Sequence, residues 1–404
     1  MYNVIVKQKN INEEGRKLMR NFIFEKIPKV YFGEESLKKA LSVELSKVGK
    51  NVMITYGGEA IKKNGIYEEL KNILLENNKS IIDFEGIMSN PTYAKVQEGA
   101  RVARENNVDL IIAVGGGAVI DCSKIISAQA KLDEDIWKME FEKGAFPKEF
   151  IKMAAVVTAS GTGAEMNAGA VITNEDLNIK TGVYGALADF VVLDPTYTLT
   201  VPMKQVISGA FDTLSHCMET YFGISEETNV SDEINEAIMR NVIRNIKAVI
   251  ENPDDKYVRS ELMWDASIAE NGLLKLGKIT DFQAHQIEHQ LGAYTNCNHG
   301  QGLAAIHPAV YRHIYKNNIK KFVRFAKEVW KVDCTNLKED EIAISGINAL
   351  AEFIKEIGLP TTLTEMNIKD NEMLRKVADS SNISKGCCKQ LTHEEIFEIL
   401  KECL

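Results

Sequence analysis

Residues 110–121, LIIAVGGGAVID, join a continuous apolar run to a glycine-rich turn that opens a helical pattern. The run predicts a buried strand, and the turn at Gly116 and Gly117 leads into a helix N-terminus. Backbone N–H groups and the helix dipole would face an anion there. Because glycine has no Cβ, a pyrophosphate could approach the main chain closely. The spacing differs from GxGxxG, so a plain strand–helix turn is the alternative interpretation.

Strand-like and helix-like segments alternate on both sides of this turn. With the strand before this turn, at 109–114, strands are predicted at 51–55, 80–84, 154–158 and 190–193. Helices are predicted at 60–77, 93–106 and 119–130, and a hairpin near 170–185. Nearly continuous apolar strands separated by helices are typical of a parallel sheet that is covered on both faces. We therefore expect an α/β unit.

Two more polar turns follow predicted strands. Gly57 and Gly58 come after the strand at 51–55, and the segment Thr158–Thr162, TASGT, comes after the strand at 154–158. The carboxyl ends of parallel strands meet at one edge of a sheet, where α/β proteins bind ligands. The sequence thus predicts a crevice for a dinucleotide.

The second half of the chain has helical periodicity, as at 232–251 and 342–357, after the Asp194-Pro195 step. The predicted fold class is therefore α/β plus all-α. A Rossmann-like dinucleotide-binding domain at 19–195 precedes a helical metal-binding catalytic domain at 196–404. Residues 1–18 form a possible N-terminal extension to which we assign no function.

Composition restricts the partners. The chain has 404 residues, 45% of them hydrophobic, which suits two globular domains. A net charge of −9 argues against a nucleic-acid partner, and no apolar run reaches the roughly 18 residues that span a membrane. Seven cysteines without a CxxC pair, and no signal-peptide pattern in residues 1–20, predict reduced thiols in the cytoplasm. The adjacent Cys387 and Cys388 are interpreted as incidental thiols.

Five residues could build a metal site. Asp212 and His216 stand four residues apart, as do His285 and His289, and His299 follows a short loop. On helices this spacing puts each pair on one face. One Asp with three His suits a divalent metal such as Fe²⁺ or Zn²⁺. Spacing alone does not distinguish His285 from His289 as the ligand. A Lewis-acidic metal beside a nicotinamide predicts hydride transfer at an alcohol or aldehyde carbon.

Six motifs together resemble the iron-containing (group III) alcohol dehydrogenases, from about Phe24 to the C-terminus. They are YGGEAIKKNG at 56–65, GGGAVID at 115–121, SGTGAEMN at 160–167, DTLSH at 212–216, HQIEHQLG at 285–292 and NHG at 298–300. The sequence is most similar to the NADPH-linked butanol dehydrogenase and broad-range aldehyde reductase branch. This resemblance implies a dehydroquinate-synthase-like fold with catalysis between the two domains, and a homodimer.

The resemblance also implies residue roles. It makes Asp212, His216, His285 and His299 the metal ligands and His289 the catalytic proton relay. The expected cofactor-binding residues are Gly57, Gly58, Asn90, Gly116, Gly117, Ala118, Asp121, Thr158, Ser160, Thr162 and Lys180. Asn167, Trp264 and Phe282 are candidate pocket residues, with Met166, for a small and largely uncharged substrate.

Two departures from the family pattern concern the cofactor. Ala118 stands where the family has serine. The alanine lacks a hydroxyl that could hydrogen-bond a phosphate, a loss of about 1 kcal/mol. Glu59 stands where the branch usually has glycine, and it would repel a 2′-phosphate unless Lys62 or Lys63 offsets it. Gly57 occupies a position that is acidic in NAD-specific relatives. The sequence therefore favours NADP(H) over NAD(H), with Fe²⁺ as the first choice of metal and Zn²⁺ as the second.

The expected activity is the metal-dependent, NAD(P)-linked interconversion of short-chain primary alcohols and aldehydes, of the butanol and butanal type. A polyol dehydrogenase acting on glycerol or propanediol is one alternative. A dehydroquinate-synthase-like lyase is another, but it would need several Lys and Arg residues in the cleft. Between Gln205 and Tyr311 the basic residues fall mostly in solvated helix patterns. A metal or dinucleotide sensor without activity is disfavoured because every ligand is present.

Overall fold

A computed structural model describes residues 20–24, 28–224, 228–280, 282–383, 386 and 388–404. The predicted extension at 1–18 lies outside the described residues, as does Cys387. In the described part of the chain, no helix is long and apolar enough to cross a membrane.

The strands of the described residues form two sheets. They are β1 Lys29–Phe32, β2 Asn51–Tyr56, β3 Ser80–Phe84, β4 Leu110–Gly115, β5 Lys152–Val157, β6 Gly169–Asn174, β7 Ile179–Tyr184 and β8 Phe190–Leu193. Six of them pair in parallel in the order β1-β8-β5-β4-β2-β3. Strands β6 and β7 form a separate antiparallel hairpin, with Thr173 opposite Lys180.

Helices cover the parallel sheet and then form the second half of the molecule. The first group is α1 Ser36–Glu44, α2 Ala60–Lys63, α3 Ile66–Glu76, α4 Tyr93–Glu105, α5 Gly117–Gln129 and α6 Ile136–Phe141. The second group is α7 Met203–Tyr221, α8 Val230–Glu251, α9 Lys256–Glu270, α10 Gln283–Thr295, α11 His299–Ile314, α12 Ile319–Glu328, α13 Glu339–Glu356, α14 Asn371–Ser380 and α15 His393–Glu402.

The parallel sheet is buried on both faces, which explains its uninterrupted apolar strands. In β4, Ile111 belongs to one core with Ile125 of α5, while Ile112 belongs to another with Leu41 of α1 and Leu70 of α3. Successive strand residues point to opposite faces, so both faces need apolar side chains. The predicted α/β architecture followed by helices is confirmed.

Two predicted elements differ in detail. The expected helix at 60–77 is two helices, α2 and α3, because Gly65 between them has φ 85°, which lies outside the helical range. Strand β1 was not predicted. Its four residues are too short for a clear pattern, and its Lys29 and Phe32 are exposed at the edge of the sheet.

Helix α7 contacts the loop that follows β5. The Thr213 hydroxyl donates to the Gly161 carbonyl at 2.9 Å. Gly161 has φ 152°, and a Cβ there would lie 2.6 Å from the Cα of Gly209. Only glycine at both positions permits this approach of loop and helix. The first residues of the helical half are thereby held against a turn at the carboxyl end of the sheet.

Candidate metal centre and cofactor cleft

Three of the four predicted metal ligands, all histidines, approach one carboxylate oxygen of the fourth, Asp212. Helix α7 carries Asp212 and His216, α10 carries His285, and α11 begins at His299. The Nε2 atoms of His285, His299 and His216 lie 3.3, 3.5 and 3.7 Å from Asp212 Oδ1. Ligands about 2.1 Å from a tetrahedral metal would stand about 3.4 Å apart. Donor atoms of Asp212, His285 and His299 lie within 4.8 Å of one another, which fits a divalent cation, and His216 stands beside this group.

Two buried glutamates hold the far ring nitrogens of these histidines. Glu219 of α7 hydrogen-bonds Nδ1 of His285, and Glu288 of α10 hydrogen-bonds Nδ1 of His299. A carboxylate on Nδ1 fixes the proton there and turns Nε2 toward the ligand position. Both rings are thus presented with the nitrogen lone pair that a metal requires.

Glu219 also determines where α10 begins. Its carboxylate accepts the backbone N–H groups of Ala284 at 2.6 Å and His285 at 3.1 Å. These N–H groups, at the start of the helix, have no intrahelical acceptor, and a carboxylate stabilises that end of the dipole. One side chain therefore caps α10 and orients its first histidine.

His289 lies beside the group of Asp212, His285 and His299, and one of its ring nitrogens comes within 4.8 Å of donor atoms of Glu288 and His299. Its ring stacks on His299 with centroids 5.6 Å apart, whereas its centroid is 6.1 Å from that of His285. The ring is buried, and among the described residues its Nδ1 has no hydrogen-bond partner. Burial and the nearby charge of Lys180 hold the pKa of His289 well below its usual value. The ring is therefore neutral, and its Nδ1, free within the described part of the chain, is a hydrogen-bonding position beside the ligand group.

The predicted cofactor turns lie side by side. They follow β2, β4 and β5, which are neighbours in the sheet. A Cβ on Gly116 would lie 3.3 Å from that of Ala159, and one on Gly117 would lie 2.5 Å from the Thr162 hydroxyl. The turns after β4 and β5 are therefore packed together without room for a side chain at Gly117. Gly58 faces open space.

Several predicted cofactor residues make contacts within the chain. Asp121 accepts the backbone N–H of Val171 at 2.9 Å and lies 3.3 Å from the Lys124 ammonium, so it anchors β6 to α5. Asn90 donates to the side chain of Asn296, the residue that follows α10, at 2.6 Å. Cofactor binding by Asp121 and Asn90, and by Gly57, Ala118, Thr158 and Ser160, stays a prediction.

Lys180 occupies the junction between the hairpin and α10. Its ammonium lies 3.5 Å from Glu288 Oε2, and both side chains are almost fully buried. Its backbone carbonyl accepts from the Gln290 side chain at 3.0 Å. Burial alone would raise the pKa of Glu288, but His299 and Lys180 together lower it. The Glu288 carboxylate is therefore ionised, between the Lys180 ammonium and the His299 ring.

The three predicted pocket residues have different surroundings. The Phe282 ring lies 5.3 Å from His285 and 5.8 Å from His216, and its backbone has φ 53°. An aromatic residue in this left-handed region is strained, as functional sites often are. The Asn167 side chain accepts the backbone N–H of Gly169 and donates to the carbonyls of Gly163 and Glu270. Trp264 is 39% exposed and packs on Phe32 at the sheet edge. Among the described residues Trp264 has no ring contact with the metal-site histidines, and its role in the pocket stays a prediction.

Comparison with known proteins identifies the family. The model of the iron-containing alcohol dehydrogenases matches residues 28–195, and the C-terminal model of the Fe-containing alcohol dehydrogenase family matches residues 206–404. The chain is 38% identical to NADH-dependent butanol dehydrogenase A of Clostridium acetobutylicum, over 95% of this chain and 100% of that protein. It is 32% identical to the NADPH-dependent aldehyde reductase YqhD of Escherichia coli, over 91% and 95% of the two chains.

A solved structure agrees. The NADH-dependent butanol dehydrogenase A of Thermotoga maritima superposes with a TM-score of 0.90 and 33% identity, covering 95% of this chain and 99% of that one. The similarity inferred from the six motifs is confirmed along nearly the whole chain, as is the oxidoreductase class. The chain belongs to the iron-containing alcohol dehydrogenase family.

Proposed function

We propose that this protein interconverts short-chain primary alcohols and aldehydes, of the butanol and butanal type, with Fe²⁺ as the metal and Zn²⁺ as a possible substitute. The observation that carries the proposal is the convergence of three histidine Nε2 atoms within 3.7 Å of one Asp212 oxygen. This group lies beside the turns at the carboxyl ends of the sheet. A cytoplasmic location and a homodimer remain predictions of the sequence.

The proposed division of labour follows from the contacts. Asp212, His216, His285 and His299 would hold the metal, while Glu219 and Glu288 orient two of the rings. A bound divalent metal supplies a Lewis acid for the substrate oxygen, and a bound nicotinamide supplies or accepts the hydride. The neutral His289 ring would accept the hydroxyl proton during alcohol oxidation and return it during aldehyde reduction.

The first test compares protein reconstituted anaerobically with Fe²⁺ and chelated protein in butanal-dependent oxidation of NADH and NADPH. We expect turnover only with metal, because Lewis-acid stabilisation of the substrate oxygen is worth several kcal/mol. Glycerol and 1,2-propanediol oxidation run in parallel. Metal-dependent turnover of the polyols without butanal turnover would transfer the proposal to a polyol dehydrogenase. Butanal turnover that survives complete metal removal would contradict it.

The structure changes the expectation for the cofactor. Lys62 was a candidate to offset Glu59, yet its ammonium is shared between Glu59 and Glu85, each at 3.1 Å. Two carboxylates against one ammonium leave negative charge beside Gly58, where a 2′-phosphate was expected. Two of the relatives, at 38% and 35% identity, are named NADH-dependent. We therefore propose that NAD(H) is preferred, in place of the NADP(H) that the sequence favoured.

Glu59→Gln should shift this preference toward NADPH. Removing the charge should raise the ratio of kcat/KM for NADPH to that for NADH about tenfold at low salt. The gain should shrink above about 0.3 M salt, because exposed charges are screened. Steady-state kinetics with both cofactors at two ionic strengths give the ratios.

Glu98→Gln is the matched control for this substitution. Glu98 is an exposed carboxylate paired with Lys95 three residues away, as Glu59 is paired with Lys62. It should leave the cofactor ratio unchanged. An equal shift in both variants would point to the net charge of the protein instead of a local contact.

A further inference from the structure

A buried ion pair connects the two halves of the protein at the site. Lys180 belongs to the β6–β7 hairpin, and Glu288 belongs to α10. The Lys180 side chain is 6% exposed and the Glu288 side chain is fully buried. The ammonium also lies against Gly292, where a Cβ would be 3.0 Å away. With water largely excluded, this pair is screened far less than a surface pair.

Glu288 has a second partner in the metal group. The oxygen that faces Lys180, Oε2, is also the one that hydrogen-bonds Nδ1 of His299. Lys180, Glu288 and His299 are thus linked in a row through one carboxylate oxygen, from a residue expected at the cofactor to a residue expected at the metal. Any change in how strongly Lys180 attracts Glu288 changes the basicity of the His299 ring.

Glu219 provides an internal contrast. It bonds His285 as Glu288 bonds His299, but its other contacts are two backbone N–H groups. Backbone donors are fixed and do not respond to a ligand. Among the described residues, Glu288 therefore has a lysine partner on the cofactor side and Glu219 has none.

We propose that the Lys180–Glu288 pair couples the two sites, so that a bound nicotinamide cofactor strengthens metal binding and a bound metal strengthens cofactor binding. With an anionic cofactor bound beside it, Lys180 would attract Glu288 less strongly. The carboxylate would then attract the Nδ1 proton of His299 more strongly, and Nε2 would be a stronger metal ligand. Screening of the Lys180 charge also reduces its repulsion of a cation. Both effects have the same sign.

The inference rests on the proposed positions of metal and cofactor, and its test uses binding alone. Zn²⁺ serves as the metal probe because it is not oxidised. Nicotinamide fluorescence gives the Kd of NADH for metal-free and Zn²⁺-loaded protein, and competition with a chelator gives the Zn²⁺ affinity with and without NADH. By linkage both ratios must be the same factor, which we expect to be at least about fivefold.

Four variants separate the coupling from its parts. Lys180→Met and Glu288→Gln should each bring the factor close to one, while Lys180→Arg should preserve most of it. Glu219→Gln, the matched control, should weaken Zn²⁺ binding yet keep the factor. Near-UV circular dichroism checks that each variant is folded. If Glu288→Gln, a substitution of a buried residue, does not fold, Lys180→Met alone tests the coupling.

The outcomes distinguish this inference from the proposed function. If Glu288→Gln and Glu219→Gln both bound Zn²⁺ with wild-type affinity, the metal would have to lie elsewhere. Unchanged NADH affinity in Lys180→Met would place the cofactor away from Lys180. A coupling factor of one in the wild-type protein would overturn the coupling alone. So would a Lys180→Met protein that binds NADH more weakly but keeps the wild-type coupling factor.

Discussion

His285→Ala is expected to lose bound metal and to lower kcat/KM by at least about a thousandfold. The ring supplies one of the three nitrogens around Asp212 Oδ1, and its Nε2 is the nearest of them at 3.3 Å. Without it, the site keeps too few ligands to hold a transition metal tightly. Its removal also frees Glu219 to bind water or a cation in the wrong place. Metal content after dialysis, with butanal reduction, gives both quantities.

The fold of this variant should survive, because the backbone N–H of residue 285 still donates to Glu219 and α10 keeps its cap. His299→Ala removes a ligand from a different helix, α11, and should give the same double loss. His313→Ala is the control: that ring is paired with Glu402 outside the site, and its removal should change neither quantity. Wild-type metal content in both His285→Ala and His299→Ala would contradict the proposed ligand set.

The parallel sheet could be predicted closely because its signals are local. The strands expected at 80–84 and 190–193 have those bounds in the structure. The second is the apolar run FVVL, and the first, SIIDF, is a short segment with two isoleucines and a phenylalanine. The short edge strand β1 could not be found this way. Its place is determined by pairing with β8, which lies some 160 residues later in the chain.

The metal site shows where spacing stops being informative. His285 and His289 are equivalent as a one-turn pair, and only the approach of α7 decides which ring meets Asp212. Glu219 was missed, although a signal existed. Asp212, His216 and Glu219 stand at i, i+4 and i+7, which is one face of a helix.

Glu288 gave no comparable signal. It lies between two histidines on α10, but its partner His299 comes after a loop, and its other partner Lys180 comes from the hairpin. A lone glutamate in a helical pattern is ordinarily solvated, so its complete burial follows only from tertiary packing.

His289→Ala is expected to keep the metal and to lower kcat by about a hundredfold to a thousandfold. The ring lies outside the group around Asp212, so no ligand is lost. Its Nδ1 has no partner among the described residues and is free to take the substrate proton. Alanine leaves the substrate proton without an acceptor, and the chemical step slows while binding is retained. Metal content and pre-steady-state hydride transfer measure the two effects separately.

Added imidazole distinguishes proton transfer from a packing role. If His289 moves the proton, free imidazole should restore part of kcat in His289→Ala, with a dependence on its neutral form. His289→Phe provides the matched variant: it fills the space beside His299 but cannot take a proton, and it should be slow and resist rescue. A metal-free His289→Ala protein would make His289 a ligand, and the assignment of His285 would then be wrong. Full activity in His289→Phe would show that the ring acts by packing against His299, because a phenyl group retains that contact and nothing else.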